Sequence, residues 1–180
     1  MDIFTALHTR RSIRSYTGAS VSGQEIRTLL DAAMIAPSAG NARPWQFIVV
    51  DDPELLKQVP TLNPYAGMAP MAGTGILVCG DPDAEKYKGF WVQDCSAAIQ
   101  NMLLAATGLG LGAVWTGIYP VEERVTGFRR LLGLPESIVP LALIVIGHPA
   151  VEAERKSRFE AAKVHHNAWG RQMHFEVAQE

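Results

Sequence analysis

At 180 residues, 48% apolar and 19% charged, the chain has the composition of one globular domain and not of a disordered segment. A formal net charge of −2 argues against a dedicated nucleic-acid binder, which needs a basic excess. The N-terminus has no apolar signal segment, and the apolar runs at 102–114 and 138–147 are too short or interrupted to span a bilayer, so a soluble cytoplasmic protein is expected.

In chain order, Asp2 can cap a first short helix whose expected inward residues are Ile3, Phe4 and Leu7. Ser22 and Glu25 form a capping box, each able to satisfy an orphan backbone donor of the other. Ile26, Leu29, Leu30, Ala33 and Met34 then recur at helical spacing until Pro37 stops the helix. Residues 46–50 read as a strand, and Asp52-Pro53 opens another short helix. Residues 63–75 read as an uncharged loop carrying proline and glycine. Strands are expected at 75–80, 113–116 and 139–147, the last nearly all apolar and therefore central.

The longest helix is expected over 90–107, with Ala97, Ala98, Ala105 and Ala106 offering closely packing faces. Another is expected over 121–132, with Glu122 and Glu123 in its first turn and Gly133 just past its end. Cys79 and Cys95 sit in apolar surroundings without metal or redox spacing, as buried thiols in a reducing compartment would. Nothing repeats and no linker divides the chain, so a single domain over 1–180 is expected. From about residue 152 the tail has little to bury except Phe159, Val164, Trp169 and Phe175. Packing of that tail on a second subunit would resolve this.

One motif misleads. Gly108 to Ala113 matches G-x-G-x-x-A, but a dinucleotide site needs a strand followed by a helix N-terminus. Here a helix ends at the glycines and a strand begins, so the segment reads as a helix cap and turn.

Other segments could hold an anion or a ring. Arg10, Arg11 and Arg14 flank Ser12, with no acid between Asp2 and Glu25. Guanidinium pairs bidentately with phosphate, although the same cations would also suit a helix C-terminus. Arg155-Lys156-Ser157-Arg158 repeats that chemistry far away in sequence, or forms a helix face paired with nearby glutamates. Between two prolines, Ser38, Gly40, Asn41 and Arg43 gather polar groups just ahead of a strand. An amide such as Asn41 suits a heterocycle edge, while a rigid connecting loop is the plainer alternative. Thr116-Gly117 leaves a strand with a glycine, which permits close backbone approach or simply a turn. His165-His166 lacks neighbouring carboxylates, so no metal site is expected.

The ordered set RRSIR (10–14), APSAGNARPWQF (36–47), QDCSAAIQNMLLAATGLGLGAVWTG (93–117), IVIGHP (144–149) and KSR (156–158) resembles the FMN-dependent nitroreductase family in its short form. The resemblance implies an α+β fold, with a mixed central sheet flanked by helices and a C-terminal tail exchanged in a homodimer. It implies FMN as cofactor. Arg10, Ser12 and Arg14 would hold its phosphate, ribityl chain and pyrimidine side, with Arg11 nearby and Lys156 and Arg158 as a second phosphate pair. Pro37, Ser38 and Asn41 match a loop that reaches the flavin from the partner subunit. Thr116 and Gly117 match the turn whose backbone faces the flavin's reactive nitrogen.

No catalytic side chain is implied, because the cofactor carries the chemistry. The implied activity is two-electron, ping-pong transfer from NAD(P)H to nitroaromatic, quinone or related acceptors. The same fold also hosts dehydrogenation, dehalogenation, flavin breakdown and non-enzymatic flavin storage. This chain departs from longer members in the uncharged 63–75 segment and in lacking the insertion that lids the substrate pocket.

Overall fold

The computed structural model describes residues 1–151, 157–173 and 175. Local signals set the helix starts. In α1 (Ile3–Thr9) the Asp2 carboxylate accepts the Thr5 N–H at 3.0 Å. In α2 (Gly23–Met34) the capping box forms: Glu25 N–H donates to Ser22 Oγ at 3.2 Å, and Ser22 N–H to Glu25 Oε2 at 2.7 Å. α3 (Pro53–Leu62) begins at Asp52, with Pro53 at the first position, where a missing N–H costs nothing.

Strands β1 (Trp45–Val50), β2 (Thr74–Gly80), β3 (Gly112–Gly117) and β4 (Val139–Gly147) form one sheet in the order β1-β2-β4-β3. All three neighbouring pairs are antiparallel, which departs from the expected mixed sheet. The reason lies in the topology. Helix α5 (Trp91–Gly108) joins β2 to β3, and these two strands do run in the same direction. However, β4 inserts between them and pairs with both, so the parallel strands are not neighbours. Among the described residues the parallel component shrinks to one bridge, Ser12 beside Ala113.

Side chains alternate across the sheet and fill two layers. Ile76, Val78, Ile144 and Ile146 pack with α2 and α5, while Leu77, Cys79, Leu143 and Val145 pack with α3, α4 (Ala69–Ala72) and α6 (Glu122–Leu132). With both faces covered, β2 and β4 are buried almost throughout, as the apolar run at 139–147 predicts. Cys79 and Cys95 are free and buried, and burial pushes both thiols up to about 12.

Two local expectations change. Only Ala6 of α1 is buried, whereas Ile3, Phe4 and Leu7 are 58%, 70% and 47% exposed. Their apolar stripe faces away from the chain's own core. Residues 63–75 form a 3-10 turn at Pro64–Ala66, then α4, instead of an irregular loop. No helix among the described residues is long and apolar enough to cross a membrane.

Tight packing where β2 meets α5 yields a direct test. A Cβ at Gly80 would stand 2.1 Å from the Trp91 ring, which is 7% exposed and lies edge-on to Tyr119 with centroids 5.1 Å apart. Gly80→Ala is therefore expected to destabilise the fold by roughly 1–3 kcal/mol, read as a lowered thermal midpoint. Gly23→Ala, where nothing lies within 4 Å, is the matched control and should cause no such loss.

Candidate active site

Strand β3 lies at one edge of the sheet, and its free side organises the site. Ile118 N–H donates to Leu141 O at 3.0 Å, so the two-residue alternation turns the backbone groups of Ala113, Trp115 and Gly117 away from β4. Contacts at both ends agree with this. Ile13 N–H donates to Ala113 O at 3.1 Å, and Gly117 O accepts from the side chains of Asn63 at 3.1 Å and Arg124 at 2.9 Å. The Gly117 N–H points off the same edge, and the space where its Cβ would stand is open. Thr116 differs: it is 2% exposed, its hydroxyl donates to Leu143 O at 2.7 Å, and the alternation turns its own N–H and C=O toward β4, so it backs the edge and leaves the outward N–H to Gly117.

The arginine-rich segment runs along the other end of this edge. The Ser12–Ala113 bridge fixes it there, with the Tyr16 hydroxyl donating to Ile13 O at 2.7 Å. From Ala113 to Gly117 is about 13 Å along a strand. A cationic segment and an outward backbone donor thus share one edge. In extended chain successive side chains alternate, which sets Arg10, Ser12 and Arg14 on one side and Arg11 with Ile13 on the other. Arg11 and Ile13 indeed line a separate cleft of about 580 Å³ with Thr9, Thr107 and Pro149. Nε and Nη2 of Arg11 are buried there without a partner among the described residues.

Arg10 is half-buried, and its guanidinium is held below the usual arginine range first by burial, then by the positive fields of Arg158 and Arg11. The positive field of Arg158 therefore reaches Arg10, while Lys156 lies outside the described residues. Ion pairs among the described residues are Arg27–Asp31, Lys57–Glu54 and Lys163–Glu160, all short-range surface pairs. None neutralises the cluster. Cations drawn together with no acid paired to them among the described residues create a local positive potential.

Pro37, Ser38 and Asn41 sit elsewhere. Their loop leads into β1, at the opposite edge from β3, three strand spacings or about 14 Å across the sheet. The loop is firmly built. Asn41 and Arg43 hold left-handed φ of 57° and 51°, at a cost of roughly 1–2 kcal/mol each for a side-chain-bearing residue. Ser38 Oγ accepts the Arg43 N–H at 3.0 Å, and Asp94 Oδ1 accepts the Ala39 N–H at 2.9 Å. At Gly40 a Cβ would stand 2.3 Å from Lys86 Cδ. Within one chain this loop and the β3 edge are brought to the same end of the sheet but not together.

A family model described as the nitroreductase family matches residues 7–75 and 65–148. The chain belongs to the nitroreductase family. A relative from Methanothermobacter thermautotrophicus, provisionally named an NADH dehydrogenase/NAD(P)H nitroreductase, is 49% identical, over 94% of this chain and 88% of its own length. A crystal structure from Parabacteroides distasonis, provisionally named likewise, superposes with a TM-score of 0.89 at 39% identity, covering 93% of this chain and 98% of its own. A provisionally named nitroreductase from Desulfovibrio desulfuricans, solved in complex with FMN, gives a TM-score of 0.77 at 34% identity, covering 88% and 92% of the two chains. The nitroreductase-like α+β fold expected from the sequence is thereby established.

Three residues that sequence reasoning missed shape this candidate site: Asn63 and Arg124 on the Gly117 carbonyl, and Asp94 under the 37–43 loop. Asp94 alone left a trace, as a carboxylate on an otherwise apolar helix face; it is 5% exposed.

Proposed function

We propose that this nitroreductase-family chain is an FMN-dependent oxidoreductase that carries electrons from NAD(P)H to a small organic acceptor such as a nitroaromatic or quinone. The observation that carries the reading is the half-buried Arg10, in the field of Arg158, on the sheet edge that also presents the Gly117 N–H. FMN combines a phosphate with a ring edge that accepts hydrogen bonds, and the two ends of this edge fit those needs. Arg10, Ser12, Arg14 and Arg158, with Lys156, would hold the phosphate side, and Arg11 would add its charge from the adjoining cleft. The Gly117 N–H, carried on the Thr116–Gly117 peptide, would meet the ring. Bound FMN supplies the hydride-accepting chemistry, and the protein supplies binding and orientation.

The loop of Pro37, Ser38 and Asn41 stands too far across the sheet to reach the same ligand in its own chain. In this reading it acts on the partner's site within a cytoplasmic homodimer of 180-residue single-domain subunits. The exposed stripe of α1 and the tail from about residue 152 are the surfaces such a dimer would cover. A single pocket would take nicotinamide and acceptor in turn.

The purified protein is expected to be yellow and to bleach on anaerobic mixing with NADH or NADPH. Varying nicotinamide against a nitroaromatic acceptor should give parallel double-reciprocal lines. A yellow protein that neither nicotinamide bleaches would be a flavin-binding or storage protein instead, and intersecting lines would rule out turn-taking in one pocket.

A further inference from the structure

We infer that Asn63 and Arg124 form a clamp that fixes the Gly117 carbonyl at the free edge of β3, and that by holding this residue from its C-terminal side they are positioning residues for its N–H, the backbone donor offered to the flavin. The inference rests on the proposed function. Gly117 is the last residue of β3 and has no side chain, so nothing of its own restrains its conformation. The restraint comes from outside. Asn63 is fully buried and both ends of its amide are used: Nδ2 donates to Gly117 O at 3.1 Å, and Oδ1 accepts the Tyr65 N–H at 3.1 Å. Arg124, in the first turn of α6, donates to the same carbonyl at 2.9 Å while its guanidinium rests on the Tyr65 ring, 5.2 Å from the centroid.

Two donors from two elements therefore converge on one carbonyl. On the far side, Ile118 and Tyr119 N–H both donate to Leu141 O, at 3.0 and 3.1 Å. The peptides around Gly117 are held from two directions, leaving its N–H aimed outward. This gives the uncharged 63–75 segment a task. Instead of touching the ligand with charged side chains, it orients the backbone that does. Arg124 also sets a positive charge beside that backbone, which favours a ligand that gains negative charge on reduction.

The test compares wild type with Arg124→Met, Arg124→Lys and Asn63→Leu. Two readouts are used: the amide resonance of Gly117 in the flavin-free protein, and the affinities for oxidised and reduced FMN. Arg124→Met is expected to move the Gly117 resonance and to weaken reduced FMN about tenfold more than oxidised FMN, about 30 mV for a two-electron couple. Arg124→Lys should recover most of this, and Asn63→Leu, where it folds, should move the same resonance. A merely structural role would weaken both oxidation states equally and leave the potential in place. That outcome, or an unmoved Gly117 resonance in Arg124→Met, overturns the clamp while leaving the flavin reading intact. Failure of the wild type to bind FMN overturns the functional reading, and with it the role of the clamp.

Discussion

Replacing both Arg10 and Arg158 with alanine is expected to weaken FMN binding on the order of 10²- to 10⁴-fold, since a hydrogen bond to a charged group contributes about 1.5–3 kcal/mol. The two cations come from opposite ends of the chain and lie in each other's field, with no carboxylate among the described residues pairing with either. Each single variant should lose about 10- to 100-fold. Fluorescence titration of the flavin-free protein at fixed ionic strength measures this. Arg27→Ala, which removes a surface pair with Asp31, should leave affinity unchanged. Undiminished affinity in the double variant would mean that these arginines are surface charges and that the phosphate binds elsewhere.

Deleting residues 159–180 should cost the dimer and the flavin together. Phe159 and Trp169 are 66% and 89% exposed in the single chain, and the Phe175 ring lies edge-on to Phe159 at 5.2 Å. Three aromatic side chains, at roughly 1.5–3 kcal/mol each if buried on a partner, put the loss on the order of 10³-fold or more in the dimer dissociation constant. Sedimentation equilibrium reads the subunit association, and the ratio of visible to ultraviolet absorbance reads the flavin retained. Trp169→Ala should reproduce part of both losses without shortening the chain. A truncated chain that stays dimeric and fully flavinated at low micromolar concentration would rule out an exchanged tail.

Local physics explains what the sequence disclosed. A capping box needs only Ser22 and Glu25, three residues apart, and the apolar run at 139–147 needs only its own composition to demand two covered faces. Both signals are complete within a few residues. The glycines at 108–112 were equally readable, because a helix that ends there cannot also present its N-terminus to a phosphate. The arginine segment was readable as chemistry but not as geometry. That Arg11 turns away from Arg10, Ser12 and Arg14 follows from an extended backbone, which the Ser12–Ala113 bridge supplies.

Periodicity marked Ile3, Phe4 and Leu7 as apolar but could not say what they face. A stripe bound for a partner carries the same pattern as one bound for the core. The sheet order also lay beyond local reach: β4 enters between β2 and β3 from the far end of the chain and removes the parallel neighbours. Asn63 and Asp94 act across 54 and 55 residues on one backbone group each, and no spacing rule marks a single amide or carboxylate for such work.

By itself, then, the sequence determined the family, the strands, the helices other than α4, and the residue types able to hold an anion. These depend on short-range sterics, periodicity and charge. Tertiary structure decided how far the field of Arg158 reaches Arg10, that the 37–43 loop stands a sheet's width from β3, and that two side chains converge on the Gly117 carbonyl. Each of those depends on which strands become neighbours, and strand pairing is a property of the whole chain.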